Sequence, residues 1–221
     1  MKRMIRSLII ILTLGSLTAC ASAGQEAEQS QVSFFAMDTY MTLTAYGEGG
    51  EKALGDVREE IQTLESEWSV TDTESEIYQV NHSGGNPVEL SGDTAKVVEF
   101  ALDMAKKTEG ALDPTIYPVL EAWGFTTDEN RIPEPEELQA LLEHVGYENV
   151  ELNGQEILLP EGMELDLGAV GKGYAGDVAA EMLEEQGITS ALLDLGGNIQ
   201  AIGSRPGGGD WRLGIRNPFG D

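Results

Sequence analysis

Between Glu164 and Ile199 the chain reads ELDLGAVGKGYAGDVAAEMLEEQGITSALLDLGGNI, and here residue type and spacing could do chemistry. Asp166, Lys172, Asp177 and Asp194 fall near glycine-rich turns in what reads as strand, turn, helix and strand. Glycines let backbone approach a ligand closely, and a helix start aims free N–H groups at anionic oxygens, so the pattern suits a phosphate-bearing ligand. A P-loop ending at Gly171-Lys172 fails on spacing. Asp166 stands where its first glycine is required, and Gly173 where its hydroxyl should be. The dinucleotide pattern G-x-G-x-x-G does occur, as Gly171, Gly173 and Gly176, and Asp194 closes the next apolar run. That keeps an NAD-binding, Rossmann-type oxidoreductase as an alternative.

Further segments stand out in order along the chain. They are Ala36-Met37-Asp38-Thr39, Trp68-Ser69 with SEIYQVN from Ser75 to Asn81, and Gly110 to Thr115 (GALDPT). Trp123-Gly124-Phe125, Asp166 to Gly173 (DLGAVGKG), Leu195 to Ile199 (LGGNI) and Trp211 to Pro218 (WRLGIRNP) follow. Together they resemble the ApbE family, flavin transferases that move FMN from FAD onto a protein threonine. Asp38 departs from the glycine usual at that point in the family.

The resemblance implies a single α+β domain, T-fold-like, with a mixed or antiparallel sheet and packed helices over residues 32–221. It implies that Asp166 and Lys172 contact FAD, and that the Ala169 carbonyl reaches a Mg²⁺ ion. Ala111, Leu112 and Asp113 would frame the nucleotide end of FAD, Met37 would lie against it, and Trp68 would face its isoalloxazine ring. The implied partners are acceptor flavoprotein subunits of sodium-pumping NADH:quinone reductase (Nqr) or Rnf-type complexes. The resemblance also implies family segments beyond Asp221, carrying the general base and most Mg²⁺ ligands. On that expectation the fold is incomplete at its C-terminus and this chain alone transfers FMN poorly. A lipoprotein of the same fold that binds or hydrolyses FAD is the nearer alternative function.

Ordinary roles stand beside these. Asp166 could cap a turn, Lys172 could be a solvated helix residue, and Asp113 before Pro114 fits an N-cap with proline at N1. The three glycines could serve close helix–sheet packing, and Asp194 could end a strand before a turn.

Composition bounds the setting. A formal net charge of -26 excludes nucleic acid and attraction to anionic lipid, so an anionic ligand must be drawn in by local groups such as Lys172 and helix-start amides. Lys2, Arg3 and Arg6 precede an apolar run from Leu8 to Leu17, shorter than a spanning helix, and Leu17-Thr18-Ala19-Cys20 resembles a lipobox. The expectation is a signal over residues 1–19, lipidation at Cys20, and a flexible tether over residues 20–31. The protein would then sit on the extracytoplasmic face of the cell membrane, held by acyl chains. With one cysteine there is no intramolecular disulfide, so the fold rests on its core.

The elements that must position the site follow from periodicity. Residues 31–46 alternate as one strand, with imperfect phase. Glu51 to Glu67 places Leu54, Val57, Ile61 and Leu64 on one helical face, and a polar loop runs on to Pro87. Asp93 to Thr108 predicts a helix with Val97, Phe100, Ala101 and Met104 inward. Short helices follow Pro114 and Pro135, a hairpin turns at Asn153-Gly154, and a last strand covers Arg212 to Ile215.

Overall fold

The computed structural model describes residues 28–127 and 129–220. The expected signal, Cys20 and most of the tether lie outside these residues. In chain order the elements are β1 (Gln29–Ala36), β2 (Thr39–Tyr46), α1 (Gly50–Trp68), α2 (Glu76–Asn81), β3 (Val88–Glu89), α3 (Gly92–Lys107) and α4 (Tyr117–Trp123). Then come α5 (Pro135–Leu141), β4 (Glu151–Asn153), β5 (Glu156–Leu158), α6 (Gly168–Glu185), β6 (Ser190–Leu195) and β7 (Asn198–Gly203). The main sheet has the order β1-β2-β6-β7, antiparallel throughout, and β3-β5-β4 form a small second sheet. This is the α+β class read from the sequence.

Residues 31–46 form two strands rather than one. Ala36 pairs with Thr39, so Met37 and Asp38 make a two-residue hairpin loop with φ of 50° and 56°. Positive φ at both central residues is the type I′ turn, whose twist matches that of the strands it joins. The turn reverses the parity of the inward set, from Phe34 and Ala36 to Met41, Leu43 and Ala45, which explains the imperfect alternation. β1 also starts at Gln29, so the last three tether residues pair with β2.

One face of the main sheet is covered by α1 and α6. Leu54, Val57, Ile61 and Leu64 from α1 meet Leu43, Leu193 and Leu195 of the sheet, and Ala175, Ala179 and Leu183 from α6 complete the layer. Small residues on α6 let it lie close to the strands. The polar stretch after Trp68 contains α2, which Ser75 starts by accepting the Tyr78 N–H, and which buries Ile77 and Val80. In α3 Phe100 is 41% exposed instead of inward, its ring 6.3 Å from that of Tyr174. The β4–β5 hairpin turns one residue later than expected, at Gly154-Gln155, with Gly154 at φ 66°.

Two expected strands are not strands. Arg212 to Ile215 pairs with no strand among the described residues, and Ile215 is fully out in solvent. Its neighbour Trp211 is tied down, donating Nε1–H to the Gly203 carbonyl at 2.9 Å with its ring 6.1 Å from Tyr46. Ahead of α6, Glu164 makes a single parallel bridge to Ile116, and Asp166 N–H reaches the Pro114 carbonyl at 2.8 Å.

Candidate functional site

The tip of the β1–β2 hairpin, the end of α1, the loop after α4 and the start of α6 surround a cleft of about 710 Å³. Met37, Trp68, Asp166 and Lys172 all line it, brought together from three separate stretches of sequence. Each is set by its own element. Met37 sits in the I′ turn, and its N–H donates to Glu65 Oε1 at 2.6 Å, which fastens the hairpin tip to α1. Trp68 ends α1 and packs edge-on to Tyr174 of α6 at 5.8 Å. Gly171 faces the same indole, where a Cβ would stand 3.6 Å from Trp68 Cε3.

Asp166 is half-buried just before α6, and its Oδ1 accepts the Gly168 N–H at 2.9 Å. Burial raises its carboxyl above the ordinary aspartate range, opposed by that N–H and by the Lys172 ammonium. Lys172 lies one turn into the helix and is the cationic side chain lining the cleft, facing carboxylates of Asp38, Glu65 and Asp166. Trp68 is only 7% exposed, so it offers the cleft little flat surface. Its indole N–H is buried without a hydrogen-bond partner among the described residues.

The other expected site residues are placed differently. Ala169 is exposed on the first turn of α6, outside the cleft lining. Ala111, Leu112 and Asp113 do not line the cleft, and the residue after them, Pro114, accepts the Asp166 N–H through its carbonyl. Asp113 is occupied: Oδ1 accepts from the Thr115 N–H at 2.9 Å and hydroxyl at 2.6 Å, and Oδ2 from the Tyr147 N–H at 3.1 Å. Its carboxylate closes a loop. Glu65 and Asp38 line the cleft without having been singled out for chemistry. A glutamate on the polar side of a helix normally reads as solvated, and nothing in its spacing marks it otherwise.

The dinucleotide pattern does not survive. Gly171, Gly173 and Gly176 all lie inside α6, none in a strand-to-helix turn, and the strands around α6 are antiparallel. Gly176 faces the sheet, where a Cβ would fall 3.1 Å from the buried Leu195 side chain. Asp194 closes the β6–β7 turn by accepting the Gly197 N–H at 2.8 Å.

An antiparallel sheet with two helices on one face, and a cleft where a hairpin tip meets a helix start, defines an α+β domain distinct from the parallel dinucleotide folds. The chain belongs to the ApbE family, whose sequence profile matches residues 37–221. It is 31% identical over 220 residues to the FAD:protein FMN transferase of Vibrio cholerae, covering 96% of this chain and 66% of that protein. The Haemophilus influenzae FAD:protein FMN transferase is 29% identical over 232 residues, covering 99% and 66%. The crystal structure of the ApbE protein from Thermotoga maritima superposes with a TM-score of 0.82 at 28% identity, over 88% of this chain and 65% of that one. The chain thus spans just under two thirds of the length of these relatives.

Proposed function

We propose that this chain binds FAD in the cleft between the β1–β2 turn and α6, as part of an FAD:protein FMN transferase. The observation that carries the reading is the convergence of Met37, Trp68, Asp166 and Lys172 on one cavity. In the transfer, a threonine hydroxyl oxygen of a flavoprotein subunit attacks the phosphorus of the FMN half. The P–O bond to AMP breaks, AMP leaves with the bridging oxygen, and the hydroxyl proton passes to a base. Lys172 would hold a pyrophosphate oxygen as negative charge gathers there. Asp166, fixed by Gly168 N–H, would accept from a polar group of the flavin or ribityl chain and orient it. The Trp68–Tyr174 pair would wall the ring end against water.

A magnesium ion would neutralise phosphoryl charge. Among the described residues no cluster of three or more acidic, histidine or cysteine side chains could hold one. The Ala169 carbonyl alone is too small a ligand set to hold it. The acceptor class, Nqr- or Rnf-type flavoprotein subunits, and anchorage through Cys20 belong to the same proposal. The test is incubation with FAD, Mg²⁺ and a threonine-bearing acceptor subunit, followed by intact mass of the acceptor. A gain of one FMN less water that disappears with Lys172→Ala supports the transferase. FMN and AMP released with the acceptor unchanged point to hydrolysis, and failure of FAD to bind at all overturns the reading.

A further inference from the structure

The segment leading into Asp166 is held on one side by backbone and on the other by a single side chain. On the backbone side Glu164 bridges Ile116, and Asp166 N–H donates to the Pro114 carbonyl at 2.8 Å. On the other side Asn81, the last residue of α2, reaches across 84 positions of sequence. Its Oδ1 accepts the Leu165 N–H at 2.7 Å, and its Nδ2–H donates to the Leu165 carbonyl at 2.9 Å. A carboxamide carries the same donor and acceptor as a peptide group, so one side chain supplies the rung a neighbouring strand would supply. The Leu165 side chain is fully buried in the core, and α2 is held by buried Ile77 and Val80. Packing therefore already fixes the depth of both elements. The peptide immediately before Asp166 is gripped at both ends, its N–H by the Pro114 carbonyl and its carbonyl by Asn81, and what the double hydrogen bond adds is the second of these constraints on its rotation.

We propose that Asn81 is a positioning residue for Asp166: its two-way grip on Leu165 sets the direction in which the Asp166 carboxylate enters the cleft. The demand on residue type is narrow. Aspartate would set a carboxylate oxygen against the Leu165 carbonyl, alanine makes neither bond, serine makes at most one, and glutamine is one methylene too long for the same registry. The ligand side of this inference rests on the FAD reading above, whereas the positional side does not.

The test uses the full chain, labelled with ¹³C at aspartate carboxyls, as wild type, Asn81→Ala, Asn81→Ser and Asn81→Asp. Carboxyl chemical shifts are followed against pH without ligand, FAD affinity is measured by flavin fluorescence, and melting is followed by circular dichroism. In Asn81→Ala the Asp166 titration should move down towards that of an ordinary aspartate as the segment loosens and water enters. The FAD Kd of the folded protein should rise about tenfold or more. Asn81→Asp should be worse than alanine, and Asn81→Ser intermediate. A lower Tm with the Asp166 titration and the Kd unmoved would reduce Asn81 to a stabilising contact and overturn the proposal. Should Asn81→Ala not fold, the serine variant decides by the same two readouts. Should wild type not bind FAD, the FAD reading fails, and the Asp166 titration alone still confirms or rejects the positioning role.

Discussion

At the scale of single residues, the site sets a half-buried carboxylate beside one lysine. The raised Asp166 carboxyl has a definite consequence for stability. A folded-state pKa above the unfolded value means the native protein binds more protons than the unfolded chain between the two values. Stability from this group is therefore greatest below the ordinary aspartate pKa and is lost as pH rises through the raised one. Asp166→Asn removes that penalty, so the variant should melt at a higher temperature than wild type at pH 7. The two should converge as pH falls below the ordinary aspartate range. The same variant should bind FAD more weakly, trading function against stability, and thermal melts at several pH values with flavin titrations check both halves. Lys172→Ala should cost more in binding than in stability, because the side chain makes no close ion pair among the described residues and only its longer-range attraction for the Asp166 carboxylate is lost. Charge-assisted hydrogen bonds are worth about 1.5–3 kcal/mol, so FAD affinity should fall roughly tenfold to a hundredfold, with Lys172→Arg retaining part of it.

At the scale of elements, two tight hairpins hold the hairpin-tip side of the cleft. The β6–β7 turn carries Gly196 and Gly197 at φ of 72° and 94°. A Cβ on Gly196 would lie 2.0 Å from Thr39 Oγ1, immediately after the Met37-Asp38 turn. Gly196→Ala should thus lose about 1–3 kcal/mol from the strained backbone alone and more from the collision. A fall in Tm of several degrees and a weakened FAD site should appear together, because Thr39 must move and Met37 moves with it. The LGGNI segment was legible as a motif, but this reason for its glycines was not. Elements that declare themselves locally are legible in the sequence: α1 and α3 repeat their apolar positions over several turns, and Gly154 marks its hairpin to within one residue. Those that depend on distant partners are not. Leu165 lacks a neighbouring strand because Asn81 stands in for one, and no periodicity near either residue says so. Met37 at positive φ breaks ordinary turn chemistry, so the I′ turn hid inside an apparent strand. The six residues of α2 are too few to show a helical stripe within a polar stretch. In the site, Asp166 and Lys172 were legible because they flank one helix start, whereas Glu65 is recruited by a backbone N–H 28 residues away.

At the scale of the whole molecule, the excess of acid over base shapes how an anionic ligand arrives. The chain has 39 acidic and 13 basic side chains. Several of the bases, Lys52, Lys96, Lys107 and Arg131, are spent in surface pairs with neighbouring acids. The long-range field therefore repels FAD, and the attraction of Lys172 acts only at short range inside the cleft. These two contributions respond differently to salt. The Debye length falls from about 30 Å at 0.01 M ionic strength to about 8 Å at 0.15 M, which removes the distant repulsion but leaves most of a contact inside a cleft. FAD association, followed by stopped-flow quenching of flavin fluorescence, should consequently become several-fold faster as salt rises over that range. This is the reverse of ordinary electrostatic steering, in which salt slows encounter. Lys172→Ala should make the acceleration steeper, since only the repulsive field is left to screen. Association that slows with salt in the wild type and loses its salt dependence in Lys172→Ala would show that the local cation outweighs the net charge even at a distance.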